Sequence, residues 1–405
     1  EFDAVFEELA GQLGQVRDAY EKLLGRHAKI HGGLMGRVSF SLNASESDRA
    51  KSTDALNEKS FNPPAPHAQI ERAFQAGRYT IISSTGVRPP NIVGLWAANW
   101  RVPFRGAYTA NGNMQVAMMF LQMGSTPELM LKYFDWLESN MSGYRRSCRE
   151  LYGIDSWHLP AQSTTGAEDH HWFFLHPHVY WYGGSPWACH FYYDYYRYTG
   201  DAAFLRDRAY PLMKEAAVFF EEFLFELEDG KLCISPSYSP ENAPGTINGV
   251  APTPEESARW RNAIIPNAPA CVNATGDVAA VKQLLTNLIQ ASEMLGVDEK
   301  KRPQWQAIID NLPPYEISKE DGSFREWLWP GLGENHAHRH VMQLYPVYDE
   351  CPPEISGNPA MRDAVSTTIE KHCEFNERTT SMSFGYILNG VSACHVNNSA
   401  LVERI

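Results

Sequence analysis

Apolar residues in this chain recur chiefly every three or four positions, the spacing that gathers them on one face of a helix, and the pattern predicts a mostly α-helical protein. Phe2, Phe6, Leu9, Leu13, Val16, Tyr20, Leu23 and Leu24 outline an amphipathic opening helix. Three further buried faces follow: Ile70, Phe74, Tyr79 and Ile82; Met114, Ala117, Met118 and Leu121; and Met130, Tyr133, Phe134 and Leu137. Asp201 is placed to cap a helix and Pro211 suits a first turn; Leu212, Ala216, Phe219, Phe220, Phe223, Leu224 and Leu227 form a wide stripe behind them. Helices are also predicted from Asp277 to Leu295, ending at Gly296; from Pro303 to Leu312, ahead of Pro313 and Pro314; from about Pro359 to Phe375; and over Met382 to Leu401.

Between these helices the pattern breaks. Ser45 to Lys59 is rich in Ser, Asp, Glu and Lys, and the run Asn62-Pro63-Pro64-Ala65-Pro66 excludes helix. Residues 1–65 are therefore expected to form a helical lead-in and linker, and residues 66–405 the main domain. Within that domain, Asn91–Asn113, Leu159–Pro186, Pro236–Asn273 and Phe324–Pro353 are long segments rich in Gly, Pro and aromatic residues. Loops of this length in a compact domain are usually functional. Helices alternating with such loops, without a glycine-rich phosphate loop, suit a helical toroid whose site is built from loops at one end.

Composition narrows the function. Of 405 residues, 43% are hydrophobic and 20% charged, enough apolar material to offset the entropy of ordering the chain. The net charge of −13, without a basic cluster, argues against nucleic acid as a partner. The longest stretches free of formal charge carry Asn, Gln, His and Pro, so no membrane span is expected. Seven scattered cysteines without a Cys-x-x-Cys pair fit neither a disulfide scaffold nor a zinc finger, and most are expected to be small core residues. Four sequons, at Asn43, Asn140, Asn273 and Asn397, hint at a secreted protein.

Candidate chemistry sits in the loops. Ser235-Pro236-Ser237-Tyr238-Ser239-Pro240-Glu241-Asn242-Ala243-Pro244 holds one carboxylate between prolines, as a positioned general acid requires, although a solvated turn glutamate would read the same way. Asn111 and Asn113 precede a predicted helix. Capping explains one of them; two amides at the mouth of a barrel could hold a water, with a carboxylate behind them to take its proton. His336, His338 and His340 alternate as metal ligands on a strand do, but with Arg339 and the neighbouring Trp327, Trp329, Tyr345 and Tyr348 they fit sugar hydroxyl groups better, so no metal is expected. A second histidine group, His170 to His178, reads as a rim loop. Trp96, Trp100, Trp157, Trp172, Trp181 and Trp187 lie in or beside loops, where some could serve as platforms for the apolar faces of a carbohydrate.

In order along the chain, these pieces resemble the catalytic domain of glycoside hydrolase family 95, the inverting α-L-fucosidases and α-L-galactosidases. The resemblance is carried by Gln75-Ala76-Gly77-Arg78-Tyr79, Pro90-Asn91-Ile92-Val93-Gly94-Leu95-Trp96, Tyr108-Thr109-Ala110-Asn111-Gly112-Asn113, Gly184-Ser185-Pro186-Trp187, the Pro236–Asn242 run, Arg325-Glu326-Trp327 and Arg339-His340-Val341. It spans about Phe74–Pro346. It implies an all-α (α/α)6 barrel, with Glu241 in the position of the general acid and Asn111 and Asn113 in those of the asparagines that position the water. Arg339 and His340 match sugar-contacting positions; Trp96, Trp187 and Trp327 are taken as further substrate contacts. The implied function is an exo-acting inverting hydrolase that removes a terminal α-L-fucosyl or α-L-galactosyl residue from a glycan, without a cofactor. A catalytically silent carbohydrate-binding relative is the alternative. Gly112 departs from the family, which has an apolar residue there. In the family an aspartate beyond the segment matching Met382–Leu401 polarises the asparagines, and none follows here. The expectation is thus a barrel incomplete at its C-terminus, or an internal base such as Asp155 or Glu326.

Overall fold

In the computed structural model the described residues are 2–14, 20–60, 65–94, 101–164, 178–251, 253, 270–377 and 383–405. Helices dominate them, and the only strands among them are three two-stranded antiparallel ladders: Tyr108–Thr109 with Gln162–Ser163, Phe225–Glu226 with Leu232–Cys233, and Thr246–Ile247 with Leu332–Gly333. Each ladder clips a loop back on itself or on another loop.

Most periodic segments are helical as their spacing predicts. The single opening helix expected over Phe2–Leu24 is described as two helices, residues 15–19 lying outside the described residues, and Ile70 and Tyr79, expected on a buried face, are exposed. Phe2–Gly14 and Tyr20–Met35 are helical, as are His67–Ser84, Met130–Ser139, Thr275–Leu295, Arg302–Asn311 and Pro359–Glu377. Gly296 ends the Thr275–Leu295 helix in the left-handed conformation that glycine adopts without strain. Asp201 accepts the backbone N–H of Phe204 at 2.9 Å, as a capping residue should. The helix it starts continues through a π-turn at Leu205–Ala209 into Tyr210–Phe223. Ser45–Lys59, expected as a polar connector, instead contains the short helices Glu46–Arg49 and Thr53–Ser60, the first capped by Ser45.

The chain divides into two compact units. Residues 1–85 with 124–126 form the first, which includes the His67–Ser84 helix. There Arg78, 2% exposed, donates to the carbonyls of Leu34, Met35 and Gly124. Residues 86–123 and 127–405 form the second. Its centre is the Thr275–Leu295 helix, which packs against Gly184–Thr199, Tyr210–Phe223, Arg302–Asn311 and Tyr345–Asp349. Ser383–His395 packs against Tyr345–Asp349 and Pro359–Glu377. Five of the seven cysteines are buried and all are free thiols, which matches the expectation of small core residues.

Since Leu285 is fully buried on the central helix, Leu285→Ala should lower the unfolding free energy by about 2–5 kcal/mol. Urea titration would measure it; a loss well under 1 kcal/mol would contradict the central place of this helix.

Candidate functional site

The segment Ser235–Asn242 forms no helix and only one isolated bridge, Ser237 to Cys271, so side chains must hold it. Its Ser235–Pro236 and Pro240–Glu241 peptide bonds are cis. At one end, Ser237 donates its hydroxyl to Asp277 at 2.7 Å, in the first turn of the Thr275–Leu295 helix. At the other end, Ser239 and Asn242 donate to the two oxygens of Glu326 at 2.7 and 2.8 Å. Asp277 and Glu326 are each 1% exposed. Burial pushes Asp277 up to about 7, against hydrogen bonds from Ser237 and the backbone N–H groups of Tyr182 and Tyr238. Burial likewise pushes Glu326 up to about 8 and Glu334 up to about 7, each against its own hydrogen bonds.

Between these fastenings stands Glu241. The Arg339 guanidinium bonds its Oε2. His178 Nε2 lies 3.6 Å from its Oε1 and His340 Nε2 lies 4.0 Å from its Oε2. His340 also sets Nδ1 3.2 Å from the Pro240 carbonyl oxygen. Glu241, Arg339 and His340 are thus brought together from sequence positions about a hundred residues apart. The sequence suggests a rim loop for His178; the structure places it buried beside Glu241, while residues 165–177 of that loop lie outside the described residues. His336 turns to Asp321 at 2.8 Å, and His338 is half-buried with Nδ1 accepting the His340 N–H, so the three alternating histidines face different partners.

Asn111 is buried at the turn after the Tyr108–Thr109 strand, and Asn113 begins the Asn113–Met118 helix. Gly112 between them has φ 132°, and a Cβ placed on it would come 2.6 Å from Phe384 Cζ. That ring in turn lies 4.9 Å from the His340 ring, centroid to centroid. Gly112 thus meets Phe384, and Phe384 meets His340 beside the Glu241 cluster.

The tryptophans fall elsewhere. Trp187 is buried, donating to Asp349 and packing on Tyr345 and Tyr348. Trp327 is fully buried beside Cys271 and Ala274, and Trp157 and Trp181 are core residues too. None of these four rings shows a face to solvent, because a ring of this size contributes most when its whole area leaves water. Trp96, Trp100 and Trp172 lie outside the described residues. Of the two internal carboxylates considered as bases, Asp155 is exposed and paired with Arg149, and Glu326 has both oxygens engaged. Asp277, Glu334 and Asn335 were not singled out from sequence; Asp277 reads there as an ordinary first-turn acid.

Two sequon asparagines are structural: Asn140 donates to the Trp136 carbonyl, and Asn273, 2% exposed, accepts the Ile234 N–H. No helix among the described residues is long and apolar enough to cross a membrane.

Comparison with known proteins agrees with this architecture. The model of the glycosyl hydrolase family 95 catalytic domain matches residues 19–402. Alpha-L-fucosidase 2 of Arabidopsis thaliana is 28% identical over 88% of the chain and 41% of its own length. "Probable alpha-fucosidase A" of Aspergillus niger is 25% identical over 87% of the chain and 43% of its own length. The chain thus spans less than half the length of these relatives. A solved structure of a candidate kojibiose phosphorylase from the human microbiome superposes with a TM-score of 0.61 at 10% identity, covering 99% of the chain and 56% of that structure. The fold is the all-α (α/α)6 barrel.

The buried ionisable groups set a pH dependence. Glu326, with its folded value raised to about 8, keeps a proton that the unfolded chain loses near 4.3. His190 resists its own burial because Asp194 and Asp349 flank it, and holds its proton up to about 10. Both leave the folded state with more protons than the unfolded one above pH 6.5, so stability should fall as pH rises from 6.5 to 8.5. Denaturant midpoints across that range test this; a rising profile would contradict it.

Proposed function

The chain belongs to glycoside hydrolase family 95, and from that membership we propose that it is an exo-acting, inverting hydrolase that removes a terminal α-L-fucosyl residue from a glycan. The observation that carries the reading is Glu241 itself: one carboxyl on a loop fastened at both ends, facing Arg339, His178 and His340. A proton donor to a glycosidic oxygen must be carried on a fixed backbone, and the loop bearing this carboxyl is fixed. The fucosyl preference over α-L-galactosyl, a difference of one hydroxyl, is supported by the names of the relatives. Presence of the acid and its surroundings favours catalysis over a silent binding role.

In the proposed reaction Glu241 protonates the departing oxygen while a water held by Asn111 and Asn113 attacks the opposite face of the sugar. Direct displacement of this kind leaves room for the water between the reacting groups and inverts the anomeric centre. A guanidinium on the carboxylate favours its ionised form, whereas the acid must carry a proton. Arg339 therefore has to leave Glu241 as the sugar enters, its donors turning to sugar hydroxyl groups; its side chain is 37% exposed, on the side open to solvent. His340, buried at the same corner, keeps the Pro240 carbonyl in place and offers its other nitrogen to the site. Secretion is proposed on the exposed sequons Asn43 and Asn397 alone.

Glu241→Gln should reduce turnover of a fucosylated oligosaccharide by about 100-fold or more while sparing binding of L-fucose, because it removes the proton and keeps the shape. Full activity in that variant would sink the assignment. Early-time NMR should show β-L-fucose as the first product; an α-product would mean a covalent intermediate and remove the roles given to the asparagines.

A further inference from the structure

We propose that Glu326 is a positioning residue for the acid, its buried carboxyl fixing the loop on both sides of Glu241 and joining that loop to the segment carrying Arg339 and His340. The inference rests on the reading of Glu241 as proton donor.

The argument is one of connectivity. Glu326 meets the Ser239 hydroxyl through Oε1 at 2.7 Å and takes the Asn242 amide on Oε2 at 2.8 Å, two residues before Glu241 and one after. A single bond would leave the loop a pivot; two bonds on opposite sides of Glu241 define its direction. Asn242 spends its second amide hydrogen on the Asn335 carbonyl at 2.9 Å. Asn335 returns one hydrogen to Asn242 Oδ1 at 3.0 Å and the other to the Ala243 carbonyl at 2.9 Å. Every donor of the two amides is used. Glu334 closes the frame from the other side by accepting the backbone N–H of Glu326 at 2.8 Å. Four to six residues beyond Glu334 and Asn335 come Arg339 and His340, and His340 meets Pro240. The chain of contacts runs from Glu241 through Asn242, Asn335 and His340 back to Pro240, and Glu326 sits at its centre.

The same count separates two substitutions. Gln at 326 can keep its carbonyl toward Asn242, whose own acceptor is already taken, and give its NH2 to Ser239, whose hydroxyl can turn to accept. Ala at 326 leaves both donors without an acceptor in a buried site. Glu326→Ala should therefore loosen the loop, and Glu326→Gln should restore it.

Misdirecting an acid harms only substrates that need one. Full-length wild-type protein, Glu241→Ala, Glu326→Ala and Glu326→Gln are compared on 2,4-dinitrophenyl α-L-fucoside, whose leaving group departs unprotonated, and on phenyl α-L-fucoside, whose leaving group does not. For Glu326→Ala, kcat on the phenyl substrate should fall by about 10- to 100-fold, with a loss of less than about threefold on the dinitrophenyl one, and Glu326→Gln should recover most of it. Ser239→Ala, which removes one of the two bonds, should show the same selectivity at smaller size and serves if Glu326→Ala does not fold. Equal losses on both substrates, or none, overturn the proposal while Glu241→Ala still shows the selectivity. If Glu241→Ala lacks it, the acid assignment fails instead. Amide hydrogen exchange then judges the clamp without activity: faster exchange over 237–243 and 335–340 in Glu326→Ala supports it, and unchanged exchange overturns it.

Discussion

Everything at the candidate site depends on burying two carboxyl groups, Asp277 and Glu326, beneath a loop that has no helix of its own. The loop from Ser235 to Asn242 is rich in proline and serine, and such a sequence makes few backbone hydrogen bonds. Its position comes from Ser237 on Asp277 and from Ser239 and Asn242 on Glu326. Removing these carboxyls from water is costly, and the raised affinities of both for protons express that cost. Asp277 belongs to the Thr275–Leu295 helix, against which four other helices pack. The rigidity of the barrel core thus reaches Glu241 through two hydrogen-bonded side chains rather than through secondary structure.

That arrangement explains how one corner can carry opposed demands. Glu241 must be held still, yet its charged neighbour Arg339 must be able to move. The loop is fastened from below by buried groups, whereas Arg339 reaches it from the partly exposed side. Holding and release use different elements, so the guanidinium can exchange the carboxylate for a sugar hydroxyl without unfastening the loop. The imidazoles of His178 and His340, both buried, stay near the carboxyl during the exchange and keep the corner polar.

How much of this was legible in the sequence follows from what a periodic pattern can encode. Helices with one wet face, such as Tyr210–Phe223 and Pro359–Glu377, announce themselves, because apolar and polar positions alternate at helical spacing. Gly184–Thr199 did not, since its first ten residues are all buried and no polar face marks its period. Glu241, Arg339 and His340 could be singled out through their loop context and family motifs. Asp277, Glu334 and Asn335 could not, because a buried polar group looks like any other until its partners are known: Asp277 and Asn335 meet groups 40 and 93 positions away, and Glu334 accepts the backbone N–H of Glu326, eight residues back. The tryptophans misled for the converse reason: Trp187 and Trp327 lie in loop-like sequence but are buried.

Gly112 makes room for the Phe384 ring. At φ 132° with Phe384 Cζ 2.6 Å from where its Cβ would stand, this position admits no side chain. The ring that takes the space also lies against His340, which meets Pro240 next to Glu241. A side chain at 112 would push Phe384 toward that corner. The absence of a side chain at 112 and the Phe384 ring thus share one volume, and the ring sets how much room remains beside His340. The width of the space between the asparagines and the acid decides whether a water fits between them, and hence whether displacement can be direct.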